Sequence, residues 1–158
     1  MASLDTLIER LGVSFKNPRL LQSALVHRSF VHEHPEETVD LANSERLEFL
    51  GDAALNYIAA SLVYNRFPTR GEGEMTIIRS ALINTSMLAQ FARSFELGAY
   101  IRLSKGDAAG NGRERDSLLA DTFEAVVAAI VLDSGLEAAR AFLQPLFEQQ
   151  IEHIQMHG

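Results

Sequence analysis

Apolar residues recur at intervals of three and four along almost the whole chain, and nowhere do apolar and polar residues alternate as in a half-buried strand. The pattern predicts an all-α domain of about six to eight helices. Leu4, Leu7, Ile8 and Leu11 stripe a first helix, Leu4–Leu11, with Ser3 as its cap and Gly12 as its stop. Asn17 before Pro18 is a cap followed by proline at the first helical position, and that helix runs through Leu20, Leu21, Ala24 and Leu25. His27 follows its apolar face and reads as a packed support rather than a ligand. Residues 31–42 hold Pro35 and several acids and read as a loop, with His32 and His34 solvated. A long helix follows, from about Ser44 to Phe67, ended by Pro68.

After a turn at Thr69–Gly73, Ile77, Ile78, Ala81 and Leu82 stripe a helix from Met75 to Asn84. Thr85 or Ser86 can cap another, Met87–Phe95. Residues 104–116 combine three glycines with charged side chains and read as the most flexible loop. Ser117 can cap the next helix, which is apolar almost all round to Leu132 and so reads as buried and central. Gly135 stops it. Leu136–Gln144 opens the last helical region, Pro145 kinks or breaks it, and Leu146, Ile151 and Ile154 carry the stripe onward.

Acids interrupt this pattern in two places. At about 100° per residue, Glu45, Glu48 and Asp52 share one narrow helix face, while Leu47, Leu50, Ala54 and Ile58 lie on the opposite face. Such a face repels itself. In the buried helix, Asp121 and Glu124 share a face three residues apart, flanked by the small side chains of Ala125 and Ala128 that let another helix come close. Acids from two helices converging on a divalent metal account for both stretches; buried acids paired with arginine are the competing account. Phe49 lies roughly 40° from Glu45, away from the core arc, where a large aromatic needs a cover. Glu72 reads as a first-turn acid of the following helix.

Composition narrows the chemistry. With no cysteine, disulfides and thiolate zinc sites are excluded. No apolar run is long enough to span a bilayer, and the N-terminus is not a secretory signal, which is compatible with the cytoplasm. The net charge of −7 argues against affinity for a phosphate backbone unless cations offset the clustered acids. Lys105, Arg113 and Arg115, on the approach to the second acidic helix, are the candidate phosphate contacts.

At this point a resemblance becomes specific. NSERLEFLGDAALN at 43–56 resembles the signature motif of the ribonuclease III family, and LLADTFEA resembles its second acidic motif. LVHRSF at 25–30, EGEM at 72–75 and GRERDS at 112–117 match as well, and the resemblance runs from about Leu7 to about Phe147. It implies an all-α endonuclease domain that forms a two-fold homodimer, with Phe49 entering a pocket of the partner. It also implies magnesium-dependent cleavage of double-stranded RNA, with manganese a substitute. The cuts would be staggered, leave a 5′-phosphate and a 3′-hydroxyl, and serve the processing of RNA, ribosomal precursors included. Glu48, Asp52, Asp121 and Glu124 match the family's principal acids. Asp52 and Glu124 are then the catalytic pair, Glu48, Asp121 and Glu124 the metal ligands, and Glu45 and Glu72 supporting acids. Residues 1–158 read as one catalytic domain, without the double-stranded-RNA-binding domain that family members usually carry. A di-iron oxidase is disfavoured, because neither Glu48 nor Glu124 has histidine three residues later. A noncatalytic RNA- or ribosome-binding scaffold of the same family is the alternative, although such a scaffold would be expected to lose some of the four acids.

Overall fold

The computed structural model describes residues 3–157, and among them the chain is all-helical. The α-helices are α1 (Leu4–Leu11), α2 (Pro18–Ala24), α3 (Arg28–Glu33), α4 (Ser44–Arg66), α5 (Glu72–Ile83), α6 (Thr85–Ser94), α7 (Lys105–Ala109), α8 (Asp116–Ser134) and α9 (Leu136–His157). An isolated parallel bridge, Val26 to Arg102, is the only strand-like pairing among the described residues. None of these helices is long and apolar enough to cross a membrane.

Seven of the nine are the helices that periodicity predicts. They start and stop as the local chemistry dictates. The Ser3 hydroxyl accepts from Thr6 N at 3.1 Å, and Gly12 closes α1 at φ 70°, a left-handed conformation that costs glycine little. The central helix is α8, buried from Leu118 to Ile130 except along the strip of Asp121 and Glu124, and it touches α2, α4, α6 and α9. Phe123 lies 5.7 Å from Phe91 and 6.0 Å from Phe142 between ring centroids. Burial of a ring such as Phe123 or Phe147 stabilises the fold by roughly 1.5–3 kcal/mol. At the far end of α8, the Asp133 carboxylate accepts from Lys16 N at 3.0 Å and Asn17 N at 2.8 Å, tying the start of α2 to the core.

Local side-chain bonds explain where the structure departs from the sequence pattern. Residues 31–42 are not all loop, because α3 reaches Glu33. The His27 side chain caps it, accepting from Ser29 N at 3.1 Å, and Phe30 packs on His34 and under Arg102. His34 is not simply solvated, since its Nδ1 lies 2.8 Å from the Glu37 carboxylate. Within 104–116, the Ser104 hydroxyl accepts from Asp107 N at 3.1 Å and starts α7. Asn84, rather than Thr85 or Ser86, caps α6, accepting from Met87 N at 2.8 Å. Ser117 is not the cap of α8, which begins one residue earlier after Arg115 with no side-chain cap. Pro145 does not break α9, whose inner face of Leu143, Phe147 and Ile151 stays wholly buried on both sides of it.

Candidate active site

Two helices place the acids. The Asn43 side chain caps α4 by accepting from Arg46 N at 3.1 Å, which starts the helix one turn before Glu48. Leu47, Leu55 and Ile58 then turn inward, and Glu45, Glu48 and Asp52 are left along the edge that faces α8. The helices meet at Gly51. A Cβ built there would lie 1.8 Å from the Glu124 carbonyl oxygen, so only glycine lets the two backbones approach this closely. Ala125 and Ala128 are fully buried beside the contact. Sequence reasoning had the alanines but missed Gly51, although a glycine inside a helix is the signal for such an approach.

The carboxylates fall into two groups. Burial first, then a hydrogen bond to Asp52 and the charges of Asp52, Asp121 and Glu48, pushes Glu124 up to about 8. The hydrogen bond between the two carboxyl groups holds one proton between them. Burial first, then the charges of Asp121 and Glu45, raises Glu48 to about 7, opposed by Arg28. Burial also raises Asp121, opposed by Arg28 and His27. Arg28 Nη1 lies 3.5 Å from the Glu45 carboxylate. Glu48, Asp52, Asp121 and Glu124 form no ion pair with a basic side chain among the described residues. The account in which arginine simply neutralises these acids therefore fails.

A set of carboxylate oxygens short of positive charge suits a hard divalent cation. Glu48, Asp121 and Glu124 could each offer an oxygen to one, but their ligand atoms do not all lie within 4.8 Å of one another. Among the described residues, the trio of His and carboxylate ligand atoms that lies within 4.8 Å is elsewhere, at His34, Glu36 and Glu37, where His34 Nδ1 lies 2.8 Å from the Glu37 carboxylate.

His27 supports the cleft from the side. Its Nδ1 accepts from Ser29 N at 3.1 Å, its backbone N–H donates to Arg102 O at 3.0 Å, and burial, first among the causes, lowers its pKa. Ser29 in turn accepts from Ser104 N at 2.9 Å, joining α3 to the 104–116 segment.

The remaining predicted residues separate. Glu72 begins α5 and lines a groove with Tyr64 and Arg79, away from the other acids. Arg113 does not face the cleft, because its Nη1 donates to the carbonyls of Gly98, at 2.9 Å, and of Ile101, which pins its loop. Lys105 opens α7, with its N–H donating to Glu33 at 3.1 Å. Arg115 does border the acids, in a recess with Arg28 that the sequence reading did not single out beyond its LVHRSF motif. Phe49 is 83% exposed, so the loop before α4 does not cover it, and Tyr57, Tyr64 and Ile77 are exposed on the same pair of helices.

Known proteins resemble this chain in sequence and fold. The chain is 56% identical over 149 residues to ribonuclease 3 of Roseiflexus sp. (strain RS-1), covering 94% of this chain and 63% of that protein. It is 45% identical over 152 residues to ribonuclease 3 of Chloroflexus aggregans, covering 96% of this chain and 66% of that one. The chain thus spans less than two thirds of these relatives. Among solved structures, the nuclease domain of ribonuclease III from Campylobacter jejuni superposes with a TM-score of 0.83 at 35% identity, covering 94% of this chain and 96% of that one. A second structure of that Campylobacter domain, described for flexibility in a region involved in its dimer formation, gives 0.84 at 34% identity, covering 94% and 98%. A family model described as Ribonuclease-III-like matches residues 17–150, and with that match spanning both acidic helices the chain belongs to the ribonuclease-III-like family.

Proposed function

We propose that this chain is the nuclease domain of a double-stranded-RNA endonuclease. The observation that carries the reading is the convergence of Glu48, Asp52, Asp121 and Glu124 from α4 and α8 with no basic side chain paired to any of them. Magnesium, or manganese in its place, held by Glu48, Asp121 and Glu124, would supply an activated water and relief of charge on the phosphate. Before the cation binds, the hydrogen bond to Asp52 holds the Glu124 carboxyl in the cleft; ligation would displace the proton between them. Membership of the family supports RNA hydrolysis with staggered cuts that leave a 5′-phosphate and a 3′-hydroxyl. In this reading the protein works in the cytoplasm on RNA precursors, ribosomal RNA among them.

The reading includes a two-fold homodimer. Phe49, at 83% exposure, and Tyr64, at 69%, are large side chains left on the outer side of α4, as an interface between copies requires. Two-fold pairing would direct one acid cluster to each strand of a duplex. Sedimentation of the wild type should show a dimer, and Phe49→Ala should shift it toward monomer at micromolar concentration.

Incubation with duplex RNA and with duplex DNA, each with magnesium or with chelator, tests the activity. Cleavage of the RNA alone, and only with magnesium, is expected. With a net charge of −7, cleavage should weaken steeply as salt rises. Binding of RNA without cleavage under every condition would favour the scaffold reading.

A further inference from the structure

Beside Glu48 and Asp121 lies a polar recess of about 80 Å³ that the metal reading leaves unused. Arg28, Arg115, Ser44 and Ser117 line it together with the acids. Most arginines nearby are committed: Arg93 to Asp116 at 2.6 Å, Arg113 to two carbonyls. Arg115 has no ion pair or hydrogen bond from its side chain among the described residues. Neither do the hydroxyls of Ser44 and Ser117 hydrogen-bond within the described chain. Arg28 has one partner, Glu45, at 3.5 Å, with the two side chains 65% and 55% exposed. An ion pair that open to solvent is weak and can exchange.

We infer that this recess is a phosphate subsite, in which Arg28 and Arg115, helped by the Ser44 and Ser117 hydroxyls, take one backbone phosphate of the substrate. The inference rests on the nuclease reading above and assigns residues that reading does not use. The charges support it. Three carboxylates, Glu45, Glu48 and Asp121, share the recess with two guanidinium groups. The empty recess therefore keeps an anion out. Once a divalent cation offsets the acids, the balance becomes positive and two guanidinium forks remain to match phosphate oxygens. Arg28 then exchanges its ion pair with Glu45 for hydrogen bonds to the phosphate. Its resting contact holds the side chain at the recess.

The test uses the full chain with Arg28→Gln, Arg115→Gln and the corresponding lysine variants, cutting a short duplex RNA at saturating magnesium. Each glutamine variant should raise KM about tenfold, the loss of one charge-assisted hydrogen bond, with kcat within about twofold. The slope of log KM against log salt should flatten by about 0.9 per variant, because one phosphate contact is gone. Lysine should restore part of the affinity. Magnesium should still raise the melting temperature of all four variants, which separates this role from metal binding. Unchanged KM and salt slope in both glutamine variants would overturn the subsite, as would a magnesium shift that disappears together with kcat. A wild type that cuts no duplex RNA would overturn the nuclease reading and the subsite with it.

Discussion

At one end of the cleft Asp52 and Glu124 share a hydrogen bond with no guanidinium acting on them, whereas at the other Glu48 and Asp121 lie in the field of Arg28. Both ends crowd carboxylates into a partly buried space. The first relieves the repulsion through a shared proton, and the second in part through Arg28, although burial still raises Glu48 and Asp121 there. A metal ion entering the first end must displace a proton, so its uptake there follows pH. At the second end Arg28 already offsets part of the charge, so uptake there should follow salt and substrate phosphate more than at the first.

The largest expected effect comes from removing charge at the proton-sharing end. Glu124→Gln and Asp52→Asn keep shape but remove a carboxylate, and duplex-RNA cleavage should fall by orders of magnitude. Melting in chelator should stay level or rise, since like-charge repulsion is relieved, and the stabilisation by magnesium should shrink. Near-normal cleavage by either variant would remove that residue from the catalytic pair.

Substitution at Gly51 perturbs both ends together. A methyl group there meets the Glu124 carbonyl at 1.8 Å, so α4 and α8 must separate, and Gly51→Ala should cost roughly 1–3 kcal/mol in urea unfolding. The magnesium-induced rise in melting temperature should fall as the acids move apart. Wild-type stability for Gly51→Ala would mean that the helices do not meet at this point.

The subtlest measurement is the pH dependence of stability. Glu124 and Glu48 sit at about 8 and about 7 when folded, against an ordinary 4.5, so the folded protein binds extra protons between those values. Stability from these groups is complete below the unfolded value and is lost as pH rises through 7 and then 8. The melting temperature in chelator should therefore fall by a few degrees between about pH 5 and pH 9. Glu124→Gln should flatten the decline up to about pH 8 and Glu48→Gln only up to about pH 7. An equal effect of both variants across the whole range would show that the two ends titrate as one unit.

Much of the site was legible because helix periodicity is local. The spacing of Glu45, Glu48 and Asp52, and of Asp121 and Glu124, sets which face each occupies whatever surrounds the helix. Phe49 stood outside the core arc for the same reason, and it is exposed. Arg113 misled because its charge and its place in a glycine-rich loop look the same whether the guanidinium meets a phosphate or two carbonyls of its own chain. The short helices α3 and α7 were hidden because the bonds that start them, from His27 and Ser104, are single side-chain caps rather than a repeating apolar stripe.

By itself, then, the sequence determined the helices, the face each acid occupies and the family the motifs resemble, all of which depend on residues within a few turns of one another. The tertiary structure alone decided which acids become partners. Asp52 meets Glu124, and Glu48 meets Asp121, because the offset of α4 along α8 is set where Gly51 rests on the Glu124 backbone. It also decided that Arg28 and Arg115, far apart in the chain, border one recess. Proton affinities and charge balance depend on distances of a few ångströms between separate helices, and a one-dimensional spacing carries no such distance.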